Sequence, residues 1–215
     1  MAETKIKEAK EPLFGKKERK LLVDPLLDNN PITIQVLGVC SALAVTSLLM
    51  PSLVMTIAVV FVCAFSNLLT SLLRNIIPNE VRLIAQLIII ATLVTIVELS
   101  LKYFDYPTYK ELSVYIGLII TNCIVMGRLE AFAMGNKPWK SFLDGLGNGV
   151  GYGIILLVVA FFRELFGKGT LFGAQILPEG YFANNLMVMP AAAMFILAVF
   201  IWIQRSRNKE LIDIS

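Results

Sequence analysis

Apolar residues fall into six blocks along the chain, at about 32–49, 53–73, 84–102, 112–127, 148–166 and 186–203. A helical bilayer crossing takes about 20 residues, with a range of about 17–25. The second, third, fifth and sixth blocks have that length. The first and fourth are the shortest: the first contains Gly38 and stops at Pro51, and the fourth runs between Gly117 and Gly127-Arg128. The pattern predicts an all-α integral membrane protein with six transmembrane helices, the first and fourth short or broken.

The blocks divide into two halves of the same plan. Residues 24–105 give a short block, a long helix ending at Arg74 and another long helix. Residues 106–204 give a short block, a long helix ending at Arg163-Glu164 and another long helix. Three crossings per half make the second half inverted relative to the first. Paired short or interrupted segments in two inverted halves point to a site near the bilayer midplane. Outside the repeats lie a basic arm, residues 1–23, and a tail, residues 205–215.

Composition agrees with the membrane class. Of the residues, 57% are hydrophobic and only 16% charged, against about a quarter charged in a soluble domain. The mean hydropathy is +0.74. The start, Met1 to Arg19, is hydrophilic, so no amino-terminal signal of the usual form is expected. The net charge of +3 does not argue for nucleic acid, and none is expected as a partner. Its distribution sets orientation instead. Fifteen of the 19 Lys and Arg residues fall in the arm, the loops Arg74–Arg82 and Arg128–Lys140, and the tail. The positive-inside rule then predicts that both termini are cytoplasmic.

The absence of histidine excludes imidazole metal ligands, histidine-ligated haem and a histidine base. Three cysteines remain. Cys40 and Cys123 each sit near the centre of a short block, in Leu37-Gly38-Val39-Cys40-Ser41-Ala42 and Thr121-Asn122-Cys123-Ile124-Val125-Met126. A lone membrane cysteine is usually a small apolar packer. Two at equivalent depths in inverted repeats would be brought face to face. Thiolates are soft ligands for iron–sulfur clusters, Cu(I) or zinc. Two of them complete neither a tetrahedral site nor a two-iron cluster, so another chain would have to supply the rest. A disulfide is the third option. Ser41, Thr121 and Asn122 flank the thiols and could hydrogen-bond a ligated group from outside its first ring of ligands. Cys63, in the second helix, has no counterpart in the fifth and reads as packing.

Gly145, Gly147, Gly149, Gly151 and Gly153 match no dinucleotide fingerprint. Gly145, Gly149 and Gly153 share one face at a spacing of four and predict close helix packing. The acids near the membrane are Glu98, Glu130, Asp144 and Glu164. Glu98 lies inside an apolar block near its outer end. The others are expected at helix ends, with Arg128, Lys140 and Arg163 nearby, as pairing or interface residues first and cation-pathway residues second.

The string from Asn30 through Gln35-Val36-Leu37-Gly38-Val39-Cys40-Ser41-Ala42-Leu43-Ala44-Val45-Thr46 resembles the D-type subunit family of the Na⁺-translocating NADH:quinone oxidoreductase (Nqr). So do the string from Gly117 to Ala133, the run Gly145–Tyr152, and Phe161-Phe162-Arg163-Glu164-Leu165. The likeness extends from about Asp24 to Gln204. The Rnf complex has a sibling subunit of the same design, and Ser41-Ala42 favours Nqr. The resemblance implies a subunit of an ion-pumping NADH:ubiquinone reductase in the bacterial inner membrane, not catalytic alone. It implies pairing with a paralogous E-type subunit in opposite orientation, alongside the A-, B-, C- and F-type subunits. It also implies an iron–sulfur centre, 2Fe–2S, shared between the pair, with Cys40 and Cys123 as this chain's ligands. Electrons would pass through it from the cytoplasmic NADH-oxidising subunit to a flavin domain on the outer side, with Na⁺ export. The flavin attachment motif Ser-Gly-Ala-Thr of sister subunits is absent, so no flavin is expected on this chain. Competing readings are an Rnf subunit, an inverted-repeat secondary transporter, and a passive assembly subunit with inert thiols.

Overall fold

The computed structural model describes residues 16–26, 29–78, 80–104, 106–171, 174–175, 187 and 189–207. In chain order the helices are α1 (Lys16–Val23), α2 (Val39–Val45), α3 (Leu49–Leu73), α4 (Arg82–Phe104), α5 (Tyr106–Ile120), α6 (Cys123–Arg128), α7 (Pro138–Lys168) and α8 (Pro190–Arg207). A single turn of tighter helix, Asp24–Leu26, follows α1, and a wider turn, Leu129–Ala133, prolongs α6. After α7, Gly169 takes a left-handed conformation (φ 68°), and its N–H returns to the Leu165 carbonyl at 3.2 Å, closing the helix. Thr170–Leu171 then pairs antiparallel with Ala174–Gln175.

Four stretches are long and apolar enough to cross a bilayer: Leu49–Leu73, Arg82–Tyr103, Ser113–Ala133 and Pro138–Gly167. The first and last blocks form shorter helices, the seven-residue α2 and α8. The fourth block is longer than its apolar pattern, because α5 begins at Tyr106, and it breaks at Thr121-Asn122 before α6. The fifth helix begins at Pro138, well before the expected residue 148. Proline suits a first helical turn, where its missing N–H has no partner to lose. The early turns also carry Ser141, Asp144 and Asn148, polar residues that are buried and so lie outside any apolar count.

Helix α7 is the mast of the molecule. Its glycines let two neighbours approach at backbone distance. On one side a Cβ at Gly145 would stand 2.7 Å from the Cys63 carbonyl of α3, and one at Gly149 would stand 2.9 Å from the Cα of Val60. One at Gly153 would strike Thr56. On the other side, Gly147 meets the Leu21 carbonyl of α1 and Gly151 meets the Pro25 carbonyl. The spacing of four thus serves the α3 contact as expected. A second face, Gly147 and Gly151, receives Leu21, Leu22, Pro25 and Asn30, whose Nδ2 donates to the Gly151 carbonyl at 3.0 Å. The end of the basic arm is therefore docked against α7.

The core lies between these elements, with Ile32, Val45, Val59, Val62, Ile90, Ile119, Ile124, Leu129, Tyr152, Leu156 and Val159 all fully enclosed. Outward positions are large and apolar, among them Ile57, Ile84, Ile88, Val114, Phe195 and Trp202. That is the reverse of a water-facing surface and suits contact with lipid.

Candidate paired-thiol site

Both short blocks are broken by local chemistry. In the first, Asn30 Oδ1 accepts from the Ile32 N–H at 3.0 Å, and the Leu37 N–H returns to the Pro31 carbonyl at 2.8 Å. Val36 (φ 56°) and Gly38 (φ 78°) are both left-handed. A β-branched residue there is a genuine outlier. The chain thus descends without helix until Val39. In the second block, the Asn122 side chain caps α6, accepting from the Ile124 N–H at 3.3 Å. An amide side chain competing for backbone bonds in this way stops α5 and restarts the helix.

Each break places its cysteine at the start of a half-helix. Cys40 is the second residue of α2 and Cys123 the first of α6. The two side chains lie close enough to act on one another. Both are free thiols and both are exposed. Among the described residues, no group of three or more His, Cys, Asp or Glu side chains is placed to hold a metal ion. The thiol pair therefore offers two soft ligands and an open face. Cys63 is free but fully enclosed in the core, as packing requires.

Behind the thiols stands a buried polar set. Ser41 Oγ donates to the Gly38 carbonyl at 2.9 Å and lies 2.7 Å from the Tyr152 hydroxyl. Ser41 has a single proton, so Tyr152 is the donor in the second bond. The Tyr152 ring fills the space a Cβ on residue 38 would need, 2.9 Å away, and its hydroxyl lies beside the Asn122 amide. Asn122 is fully buried, and its Nδ2 makes no well-formed hydrogen bond among the described residues. Thr121 is exposed at the break. The three polar residues expected beside the thiols are thus divided, with Ser41 and Asn122 inside the network and Thr121 at the surface. Tyr152 was not singled out from sequence, because the glycines around it account for that stretch as a packing face.

Asp144 pairs with the nearby Arg128 as expected, whereas Glu130 and Glu98 find their partners on other helices. Glu130 pairs with Arg82 of α4 and accepts from Gln86 Nε2 at 3.2 Å. Asp144 takes a two-pronged bond from Arg128, 2.9 Å at Nε and 2.5 Å at Nη2. Glu98 accepts from the Tyr109 hydroxyl at 3.1 Å. Asp144 and Glu164 are not interface residues: each is only 2% exposed, because α7 extends past both. Glu164 accepts from the Leu49 N–H at 2.6 Å, where α3 begins. Arg163, also buried, donates to Thr46 Oγ1 at 2.6 Å and to the Leu43 carbonyl at 3.4 Å, where α2 ends. It also reaches the carbonyls of Met187 and Met189 at 3.3 and 3.2 Å, before α8. Arg163 thus faces the negative C-terminal end of α2, and Glu164 the positive N-terminal end of α3.

Fold and site together define a class: a helical membrane protein that presents a pair of free thiols on an open face, held by two interrupted helices. Comparison with known proteins gives the relationship. A family model described as "Rnf-Nqr subunit, membrane protein" matches residues 19–201. The D-type subunit of the Na(+)-translocating NADH-quinone reductase of Photobacterium profundum is 58% identical over 192 residues, 87% of this chain and 91% of that protein. The subunit of that name from Shewanella halifaxensis is 54% identical over 93% of this chain and 97% of its own length. That of Pseudoalteromonas translucida is 53% identical over 99% of both. The chain belongs to the Rnf-Nqr family of membrane subunits.

Proposed function

We propose that this chain is the D-type membrane subunit of a Na⁺-translocating NADH:quinone reductase. In this reading Cys40 and Cys123 supply two of the four thiolate ligands of an iron–sulfur centre shared with a paralogous membrane subunit of opposite orientation. The observation that carries the reading is the thiol pair. Two cysteines far apart in sequence lie side by side on an exposed face, with no third ligand grouped with them among the described residues. Four cysteines are the usual complement of a two-iron cluster, and two from each chain would complete it. When bound, such a centre carries one electron at a time through the apolar part of the membrane.

The chain's own residues do the rest. The half-helices hold the sulfurs at one height. The backbone N–H groups of their first turns lack intrahelical acceptors and favour negative charge on sulfur. Ser41, Asn122 and Tyr152 close the rear of the site, and the core around Ile119 and Ile124 excludes water. Six crossings with both termini in the cytoplasm would let the centre serve a cytoplasmic NADH-oxidising partner and a flavin-bearing partner on the outer side, with Na⁺ export coupled to that flow. The relatives at 53–58% identity carry the reductase name, which favours Nqr over Rnf. A solute transporter would call for charged groups turned toward the midplane site, where this chain offers thiols, hydroxyls and one amide.

The test is iron content and EPR on the anaerobically purified complex. Cys40→Ala and Cys123→Ala are each expected to lose one centre's iron and its signal while the complex stays assembled. Unchanged iron in both assembled variants would refute the ligand assignment.

A further inference from the structure

We infer that Tyr152 is the positioning residue of the thiol pair, a single side chain that sets the spacing of the Cys40 and Cys123 sulfurs. The inference rests on the proposed function for its purpose but not for its geometry. Tyr152 touches both cysteine motifs. Its ring lies against Gly38, two residues before Cys40, and forbids a side chain there. Its hydroxyl donates to Ser41, the residue after Cys40, at 2.7 Å. The same hydroxyl lies beside Asn122, the residue before Cys123 and the cap of its half-helix. No exposed surface remains on Tyr152.

The height of Tyr152 is fixed by its neighbours. Gly151 is pressed against the Pro25 carbonyl and receives Asn30, while Gly153 is pressed against Thr56 of α3. A tyrosine between them cannot slide along the mast. Neither half-helix is long enough to be held by its own hydrogen bonds, since isolated helices shorter than about 12–15 residues are marginal. The short helices therefore take their position from what they pack on, and at the cysteine end that is Tyr152.

The experiment uses the full-length chain in detergent with Cys63→Ala, reduced and treated with an iron chelator. Copper–phenanthroline then oxidises the pair: two thiols lose two protons and two electrons to two Cu(II) ions, and the Cys40–Cys123 disulfide forms. Alkylation of the remaining thiols and mass spectrometry give the rate. Loss of one net hydrogen bond changes a population about fivefold. Tyr152→Phe is expected to slow disulfide formation about fivefold, Ser41→Ala by a similar factor, and the double variant no further. Gly117→Ala, in open space on α5, is the control and should leave the rate unchanged. In the complex with its paralogue, Tyr152→Phe should retain iron but shift the EPR g values, a signature that loss of packing alone would not give. Wild-type rates in both variants, with gel filtration showing folded protein, would overturn the role of Tyr152. If Tyr152→Phe does not fold, Ser41→Ala removes the same bond and decides the matter. Absence of iron from the wild-type complex would sink the shared-centre reading instead, and the oxidation rates would still judge Tyr152.

Discussion

Glu164 gives the sharpest test of how the interrupted backbone is held. Its carboxylate accepts from the Leu49 N–H at 2.6 Å, with Glu164 2% exposed and Leu49 7%. Glu164→Ala leaves a buried N–H without an acceptor, a loss of about 1–3 kcal/mol. It also removes the anion facing the start of α3, worth about 0.3–1 kcal/mol and up to about 2 in partly buried sites. Glu164→Gln keeps a carbonyl acceptor and loses only the charge. Relief of the carboxylate's desolvation works in the opposite direction and holds the glutamine variant near the wild type. The expected order is wild type and Gln within about 1 kcal/mol, with Ala lower by about 2–3 kcal/mol. SDS titration in mixed micelles, followed by loss of helical circular dichroism, measures the order. Equal midpoints for Ala and Gln would refute the capping role. A glutamine variant of wild-type stability whose assembled complex had lost Na⁺-dependent turnover would leave the cap standing and add an ion-path role for Glu164.

The same titration should separate the glycines. Gly149→Ala drives a Cβ to 2.9 Å from the Val60 backbone and should cost about 1–3 kcal/mol, whereas Gly117→Ala meets nothing and should stabilise α5 by about 0.5–1 kcal/mol. A neutral Gly149→Ala would mean that α3 and α7 are not in backbone contact. Cys63→Ala removes one enclosed sulfur and should cost about 1 kcal/mol with no change in the iron content of the complex; loss of iron there would move Cys63 into the site.

What the sequence revealed, and what it hid, follows from the range of the interactions. The thiol pair was legible because each cysteine carries its break with it: Gly38 before Cys40, and Asn122 before Cys123, act within a few residues. The close face of Gly145, Gly149 and Gly153 was legible from its spacing alone. Its twin, Gly147 and Gly151, has the same spacing and could have been found by asking what the second face receives. Tyr152 was hidden because its partner Ser41 is 111 residues away. Arg128 was legible as a cation near Asp144, but Arg82, the partner of Glu130, lies on another helix beyond the reach of a local reading. The early turns of α7 were missed because Ser141, Asp144 and Asn148 are polar residues buried against partners that hydropathy does not register.

Irregular backbone at membrane depth needs protein groups to satisfy it, since lipid supplies none. Here the first block meets α7 in order as it descends. Asn30 donates to the Gly151 carbonyl, Ser41 bonds Tyr152, the end of α2 meets Arg163, and the start of α3 meets Glu164. One helix thus answers the polar groups freed by the interrupted segment before and after Cys40. An unbroken helix would have satisfied its own backbone and would have placed Cys40 mid-helix, with its neighbouring N–H groups already committed. Interruption lowers stability, and α7 restores it with four polar contacts and a glycine face on either side. The break puts both thiols at helix starts on an open face, which is the arrangement that the proposed sharing of a centre with another chain would use.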